Sequence, residues 1–172
     1  MSDVLTPHPY IERIFKTLGE HDPIEILEQT PNKLEFLIST LTEENIERSY
    51  APGKWTVREI LAHLADVELA LGYRFRQALV IDHYQVEGFE QDDWAKRYPR
   101  LSPSIALETF RALRSWNLLL FASFDMEDWS KELNYSFEGI ENIDHMVRFL
   151  AGHDLNHLAQ LEQIVGAQVD AD

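Results

Sequence analysis

Two histidines near the end of the sequence have a spacing that suits metal binding. His153 and His157 are four residues apart, so on an α-helix their imidazoles lie on one face, one turn apart, and both can bind a single ion. A helical wheel places both on the apolar side of the predicted last helix. A buried imidazole needs a partner, because an unpaired polar group in a core costs roughly 1–3 kcal/mol. That partner is either a metal ion or a hydrogen-bonding carboxylate or main-chain group, and this helix alone leaves both interpretations open.

A third histidine lies in a different predicted helix. His63 is in the middle of the segment from Thr56 to Ile81, beside its apolar face. A lone histidine there is often only a boundary residue. Metal sites in helical bundles, however, are built from facing helices, and a third imidazole is what the first two lack. The other four histidines are not expected to be ligands, and the wheel points His145 towards solvent; these are His8, His21, His83 and His145.

A site of three histidines would support catalysis rather than structure alone. Three neutral imidazoles leave at least one coordination position open, as catalytic metal sites do. Nitrogen ligands suit Zn, Ni, Co or Fe. A bound ion lowers the pKa of a water, which gives a hydrolase, or deprotonates a thiol, which gives an S-transferase. The sequence contains no cysteine, so such a thiol would come from a low-molecular-weight cosubstrate.

Of four neighbouring residues, three have two interpretations each and Asp66 has one. Asp154 faces inward and either accepts a hydrogen bond from a ligand imidazole or caps a neighbouring helix or loop; it is also the carboxylate available as a base for hydrolysis. Asp66 points outward and is expected to be solvated. Arg74 either meets an anionic cosubstrate or pairs with one of the many carboxylates. Trp94 either lines the mouth of the site or anchors a loop.

The elements that would position these residues are helical. Thr56 and Glu59 form a capping box, and apolar residues recur at helical spacing after it. A connection from residue 82 to 101 is dense in charged and aromatic residues, Leu133 to Phe137 could form a short strand, and Gly166 is predicted to end the last helix. Two short helices are predicted first, from Tyr10 to Leu18 and from Asp22-Pro23, and four long helices follow, near residues 30–41, 56–81, 102–124 and 142–165. We therefore predict an all-α, up-down-type four-helix bundle, with residues 1–172 as a single domain.

Composition excludes several classes of partner. The formal net charge is −15 and no basic stripe is evident, which disfavours nucleic-acid binding. The start lacks the pattern of a signal peptide, and no apolar run is long enough to span a membrane, so we expect a cytoplasmic protein that acts on a small molecule. The wide apolar surface of the helix containing Trp116 to Phe121 predicts a homodimer.

Two segments carry a resemblance to a known family. The run APGKWTVREILAHLAD, residues 51–66, and the run LAGHDLNHLAQ, residues 150–160, are similar to the DinB-like superfamily of four-helix-bundle proteins. In that family one histidine on the second long helix and an HxxxH pair on the last bind a divalent metal. The resemblance therefore implies that His63, His153 and His157 are the ligands.

The resemblance also implies a range of activities. The superfamily includes bacillithiol- and mycothiol-dependent S-transferases, so a metal-dependent S-transferase is the first hypothesis. A metal-dependent hydrolase that works through activated water is the second. A metal-binding module of a stress response, without turnover, is the third. The catalytic residues beyond the metal ligands are not identified by the sequence.

Overall fold

A computed structural model of the protein describes residues 8–39, 41–88, 90–134 and 140–169. Most of these residues are helical, and four of the helices are long: α2 (Pro23–Ser39), α3 (Val57–Val80), α5 (Pro103–Phe121) and α7 (Ile143–Val169). Three shorter helices accompany them: α1 (Pro9–Leu18), α4 (Gln91–Ala95) and α6 (Met126–Ser130). The predicted all-α four-helix bundle is confirmed. Within the described residues, no helix combines the length and the apolar character that crossing a membrane requires.

The four long helices pack around one interior. α2 lies against α5 and α7, α3 lies against the same two helices, and α1 packs on α7. Two short strands, β1 (Tyr84–Gln85) and β2 (Leu133–Asn134), pair in parallel beside the bundle. The predicted strand from Leu133 therefore exists in its first two residues, while residues 135–139 lie outside the described part. The long connection after α3 contains β1, α4 and a 3₁₀ turn, Tyr98–Arg100.

The helix α2 corrects one prediction. Two helices were expected here, with a new start at Thr30-Pro31, but a single helix continues through Pro31. Proline has no amide hydrogen, so the carbonyl of Leu27, four residues earlier, loses its helical partner. The guanidinium of Arg114 replaces that partner, with Nη1 donating to the Leu27 oxygen at 2.9 Å. A contact from another helix, which local sequence cannot reveal, keeps α2 continuous.

The ends of α3 and α7 show what local signals can and cannot specify. The predicted capping box is confirmed: the Thr56 hydroxyl accepts from the Glu59 amide, and the Glu59 carboxylate accepts from the Thr56 amide. The prediction that Gly166 ends the last helix is wrong, since α7 continues to Val169. Gly166 does not have the positive φ of a glycine cap.

A buried polar cluster lies between the long helices. Arg114 on α5 donates to Glu68 on α3 at 2.9 and 2.6 Å and to Asp154 on α7 at 2.7 Å, and all three side chains are buried. Asn117 donates to the second carboxylate oxygen of Glu68 at 2.8 Å. With the contact to Leu27, one guanidinium thus links all four long helices.

Candidate metal centre

The three predicted histidines come together inside the bundle. His63 from α3 and His153 and His157 from α7 are 1%, 2% and 4% exposed. The Nε2 atoms of His63 and His153 are 2.9 Å apart, and those of His157 and His153 are 3.1 Å apart. One nitrogen from each ring lies within 4.8 Å of the other two. Each of the three rings therefore directs its Nε2 atom towards one shared position.

The interior holds these imidazoles neutral. Burial, followed by the two neighbouring imidazoles, lowers the pKa of His63 well below its usual value. Burial, with a smaller contribution from the Arg114 guanidinium, lowers the pKa of His153 to about 3. The pKa of His157 is also lowered, again mainly by burial. Neutral imidazole is the form that binds metal ions.

A hydrogen bond fixes which nitrogen of His157 faces the cluster. Nδ1 of His157 lies 2.9 Å from Oε1 of Gln160, an oxygen that can only accept, so Nδ1 carries the hydrogen and Nε2 carries a lone pair. Nε2 of His153 faces both other rings but has either one hydrogen or one lone pair. A hydrogen on this atom can be donated to only one of the two rings, and a lone pair on it would face the lone pair of His157. Neutral rings therefore leave one contact of His153 unsatisfied, whereas a cation at the shared position accepts a lone pair from each of the three rings.

Aromatic rings cover one side of the cluster. Trp55, the residue before the α3 cap, is stacked on His157 with an interplanar angle of 11° and a centroid distance of 6.2 Å, and its ring is 4.6 Å from His63. Tyr98 lies 6.1 Å from Trp55 and 6.4 Å from His63. Sequence reasoning assigned no role to Trp55 or Gln160. Trp55 directly precedes the cap of α3, and Gln160 lies about one turn after His157. These positions are the signals in the sequence that could have identified them.

A cavity of about 500 Å³ has one of the three histidines, His153, in its lining. Val67 and Leu71 of α3 and Met146 and Phe149 of α7 form apolar walls. Cavities of this size are typical of small-molecule sites. The cluster therefore borders, through His153, a chamber large enough for a substrate.

Asp154 has a partner that neither of its interpretations predicted, and Arg74 contacts a main-chain group. The Asp154 carboxylate pairs with Arg114 inside the bundle, which is neither a hydrogen bond to a ligand imidazole nor a helix cap. Its other oxygen, Oδ1, is buried without a hydrogen-bond partner among the described residues. Arg74 is 4% exposed, donates from Nη2 to the main-chain oxygen of Glu87 at 2.5 Å and lines the cavity.

Two further expectations are wrong, and one of the two interpretations of Trp94 is not supported. Asp66 is not solvated: it is half-buried, and burial raises the pKa of its carboxyl. His145 does not point into solvent, since it is half-buried and its ring lies 6.3 Å from that of Phe15 at an interplanar angle of 72°. Trp94 lines a separate surface groove beside Tyr73 rather than the cavity that contains His153.

Comparisons with known proteins agree with this architecture. The family model of the DinB superfamily matches residues 26–161. A Bacillus cereus (strain AH820) protein named "Putative metal-dependent hydrolase" is 26% identical over 143 residues, which cover 82% of each chain. A protein with the same kind of name from Oceanobacillus iheyensis is 25% identical over 142 residues, which cover 82% of this chain and 83% of that one.

A solved structure is similar over almost its full length. YfiT from Bacillus subtilis, described as "a probable metal-dependent hydrolase with an unusual four-helix bundle topology", has a TM-score of 0.79. The match covers 95% of this chain and 93% of that chain at 21% sequence identity, and at this identity it bears on the fold. From the family match over most of its length, this chain belongs to the DinB superfamily.

Proposed function

We propose that this protein is a metal-dependent enzyme in which His63, His153 and His157 hold one divalent ion. The observation that carries the proposal is the convergence of three buried, neutral imidazoles through their Nε2 atoms, at 2.9 and 3.1 Å from the central ring of His153. Neutral rings leave at least one of these two contacts unsatisfied, whereas a cation between the nitrogens would accept a lone pair from each ring.

The residues present fit such an ion. Two nitrogens that each lie about 2.1 Å from one ion, at angles between octahedral and tetrahedral, are about 3.0–3.4 Å apart. Of the observed separations, 3.1 Å lies within this range and 2.9 Å lies just below it. The donor set is all nitrogen, which suits Zn, Ni, Co or Fe. The hydrogen bond from His157 to Gln160 supplies the outer contact that orients a ligand imidazole.

The chain's own groups define the chemistry. A divalent ion with three protein ligands supplies a Lewis acid that lowers the pKa of a coordinated water or thiol. Gln160 holds the Nδ1 proton of His157, which keeps Nε2 directed inward. Trp55 excludes water from one side, and the apolar walls formed by Val67 and Met146 exclude it around the cavity. The cavity limits the substrate to a small molecule.

Hydrolysis is the reaction that the relatives favour. The Bacillus cereus and Oceanobacillus iheyensis proteins both carry the name of metal-dependent hydrolases. We therefore propose a metal-dependent hydrolase of small molecules as the first function.

Transfer from a thiol cosubstrate is the second candidate, and the position of Asp154 favours it. A hydrolase of the usual kind uses a carboxylate base near the attacking water. Asp154, the carboxylate expected to act as that base, is paired with Arg114 instead. A thiol needs no such base, because coordination to a metal is enough to deprotonate it.

Metal analysis followed by an activity screen tests these proposals. We expect wild type to retain about one equivalent of Zn or Ni after dialysis, and His157→Ala to lose it. His145→Ala is the matched control on the same helix and should retain the metal. Equal metal content in wild type and His157→Ala would contradict the proposed site.

The screen uses metal-loaded protein with aryl esters and with an aromatic electrophile, with and without small thiols. Ester cleavage without thiol, absent in His157→Ala, supports the hydrolase. Turnover only with thiol supports the transferase. A metal-loaded protein inactive on every substrate would favour the third hypothesis, a binding module without turnover.

We also propose that the protein forms a homodimer through α5. Trp116 and Leu119 of that helix are 62% and 66% exposed, and pairing about a two-fold axis would bury both. Leu119→Glu should then sediment as a monomer while wild type sediments as a dimer. Phe36→Glu, at an equally exposed position of α2, should leave the dimer intact. A wild type that is monomeric at all concentrations would contradict this proposal.

A further inference from the structure

The buried ion pairs of Arg114 contain more negative than positive charge. The guanidinium pairs with two carboxylates, Glu68 at 2.6 Å and Asp154 at 2.7 Å. The side chains of Glu68, Arg114 and Asp154 are 0%, 0% and 1% exposed. One carboxylate is enough to neutralise one guanidinium, so these three residues, the Arg114 cluster, carry one negative charge in excess.

One oxygen of Asp154 has no hydrogen-bond donor. Oδ2 accepts from Arg114, while Oδ1 is buried and has no hydrogen-bond partner among the described residues. A buried carboxylate oxygen without a donor is costly, because the charged group has lost its water and gained nothing in exchange. Such an unsatisfied group in a native core calls for an explanation, and a nearby ion is one.

The Arg114 cluster lies next to the three histidines. Asp154 directly follows the ligand His153 on α7, so their Cα atoms are about 3.8 Å apart. Burial is the main cause that lowers the pKa of His153, and the positive charge of Arg114 is the second. The charges of the cluster therefore act on this imidazole, and a change in them changes the electrostatic potential at the metal centre.

The metal centre itself supplies no negative charge. Its three ligands are neutral imidazoles, and the group of described residues that could hold an ion includes no carboxylate. A divalent cation would bring two positive charges into an interior of low dielectric, where an uncompensated charge is unstable. A negative charge close to the histidines lowers that cost.

We propose that the Arg114 cluster is the buried counter-charge of the metal centre, and that Asp154 raises the affinity of the histidines for a divalent cation. The carboxylate acts through its charge and not as a ligand, because it is bound to Arg114. This inference rests on the three-histidine site proposed above. It gives Asp154 a role in binding the ion, in place of the role of a base for hydrolysis.

Neither Arg76 nor Arg74 supplies the missing partner of Oδ1. Arg76 is half-buried and donates to Asn117, which in turn donates to Oε2 of Glu68, so it lies on the Glu68 side of the cluster. Arg74 donates to the main-chain oxygen of Glu87. The excess charge is therefore left beside the histidines.

The zinc affinity of Asp154→Asn, measured by competition with a chromogenic chelator, tests the proposal. Asparagine has nearly the same shape and keeps an oxygen for Arg114, but it lacks the charge. We expect Asp154→Asn to bind zinc about tenfold or more weakly than wild type. Glu162→Gln removes a negative charge from an exposed position of the same helix. It should bind zinc within about twofold of wild type, because solvent and salt screen that charge.

Urea denaturation separates a charge effect from a loss of structure. In metal-free protein Asp154→Asn removes the excess buried charge, so its denaturation midpoint should equal or exceed that of wild type. With excess zinc the order should reverse, because wild type binds the ion more tightly and gains more stability from it. A residue that only holds the helices together would lower the midpoint under both conditions when it is replaced.

Arg114→Met makes the opposite change in charge. It leaves the two carboxylates without their cation, so the folded variant should bind zinc at least as tightly as wild type, although the metal-free protein is less stable. If Asp154→Asn does not fold, Glu68→Gln removes the same charge from α3. Folded Glu68→Gln should also bind zinc more weakly than wild type.

Three results would overturn the proposal. These are unchanged zinc affinity in Asp154→Asn, an equal loss in Glu162→Gln, and weaker binding in both Asp154→Asn and Arg114→Met. Failure of the metal site itself gives a different result, because His157→Ala would then bind zinc like wild type. Zinc binding that is lost in His157→Ala but unchanged in Asp154→Asn leaves the three-histidine site standing and excludes only the counter-charge.

Discussion

Gln160 lies three residues after His157 on α7, and its side-chain oxygen accepts the hydrogen bond from Nδ1 of that histidine at 2.9 Å. Removal of such an outer contact typically costs 10- to 100-fold in metal affinity. We expect Gln160→Leu to weaken zinc binding by about this factor, measured by competition with a chromogenic chelator. Gln160→Glu keeps an acceptor there and should bind at least as tightly as wild type. Gln163→Leu, at an exposed position of the same helix, is the control, and an equal loss in that variant would contradict the assigned role.

The buried ion pairs of Arg114 should dominate the effect of arginine substitutions on stability. Arg114→Met leaves Glu68 and Asp154 buried without their partner, and breaking a buried pair costs about 3–5 kcal/mol. Arg111, one turn earlier on α5, forms a half-exposed pair with Glu35, and Arg111→Met should cost less than about 1 kcal/mol. Urea denaturation of metal-free protein measures both, and similar losses in the two variants would refute this account.

Two glycines of α7 should respond to alanine in opposite directions. A Cβ on Gly152 would lie 2.4 Å from the main-chain oxygen of Ile14 in α1, so α1 must move away. We expect Gly152→Ala to destabilise the protein by about 1–3 kcal/mol, as overpacking does. A Cβ on Gly166 has no atom within 4 Å, and Gly166→Ala should stabilise the helix by about 0.5–1 kcal/mol. Thermal denaturation distinguishes the two, and a stable Gly152→Ala would mean that α1 is not held this closely.

Acid should destabilise the metal-free protein through its buried histidines. In the unfolded chain a histidine binds a proton below about pH 6.5, whereas folding lowers the pKa of His153 to about 3 and the pKa values of His63 and His157 well below normal. The unfolded state therefore binds more protons, so this stability is present above pH 6.5 and is lost as the pH falls. Each histidine contributes up to about 1.4 kcal/mol per pH unit.

Urea denaturation at pH 7, 6 and 5 in the presence of a chelator measures this slope. For three histidines it should approach about 4 kcal/mol per unit between pH 6 and 5. His157→Gln should reduce it by roughly a third. A stability that does not change over this range would show that the cluster is not buried in its neutral form.

Local signals predicted much of the fold and the ligand positions. The capping box at Thr56 specified the start of α3, and helical spacing of apolar residues specified its length, which together place His63 two turns inside the bundle. The spacing of His153 and His157 specified their common face. These features depend only on residues within a few turns of one another, which is why they could be predicted from the sequence alone.

The remaining errors come from contacts between distant segments. Pro31 has the sequence signal of a new helix, and only the hydrogen bond from Arg114 to Leu27 allows α2 to continue through it. Asp154 was expected to contact a ligand imidazole or to cap a helix or loop. It pairs instead with Arg114, which lies 40 residues earlier in the chain. The burial of Asp66 likewise depends on packing that no local spacing encodes.

The position of Arg114 has a consequence for hydrogen exchange. Its guanidinium contacts the Leu27 carbonyl, Glu68 and Asp154, one group on each of the other three long helices. A helix that opened alone would separate Arg114 from at least one buried partner, so partial openings of α2, α3, α5 or α7 are costly. Their most protected amides should therefore exchange through one shared global opening, with a common free energy, while the short helices α4 and α6 exchange through smaller local openings.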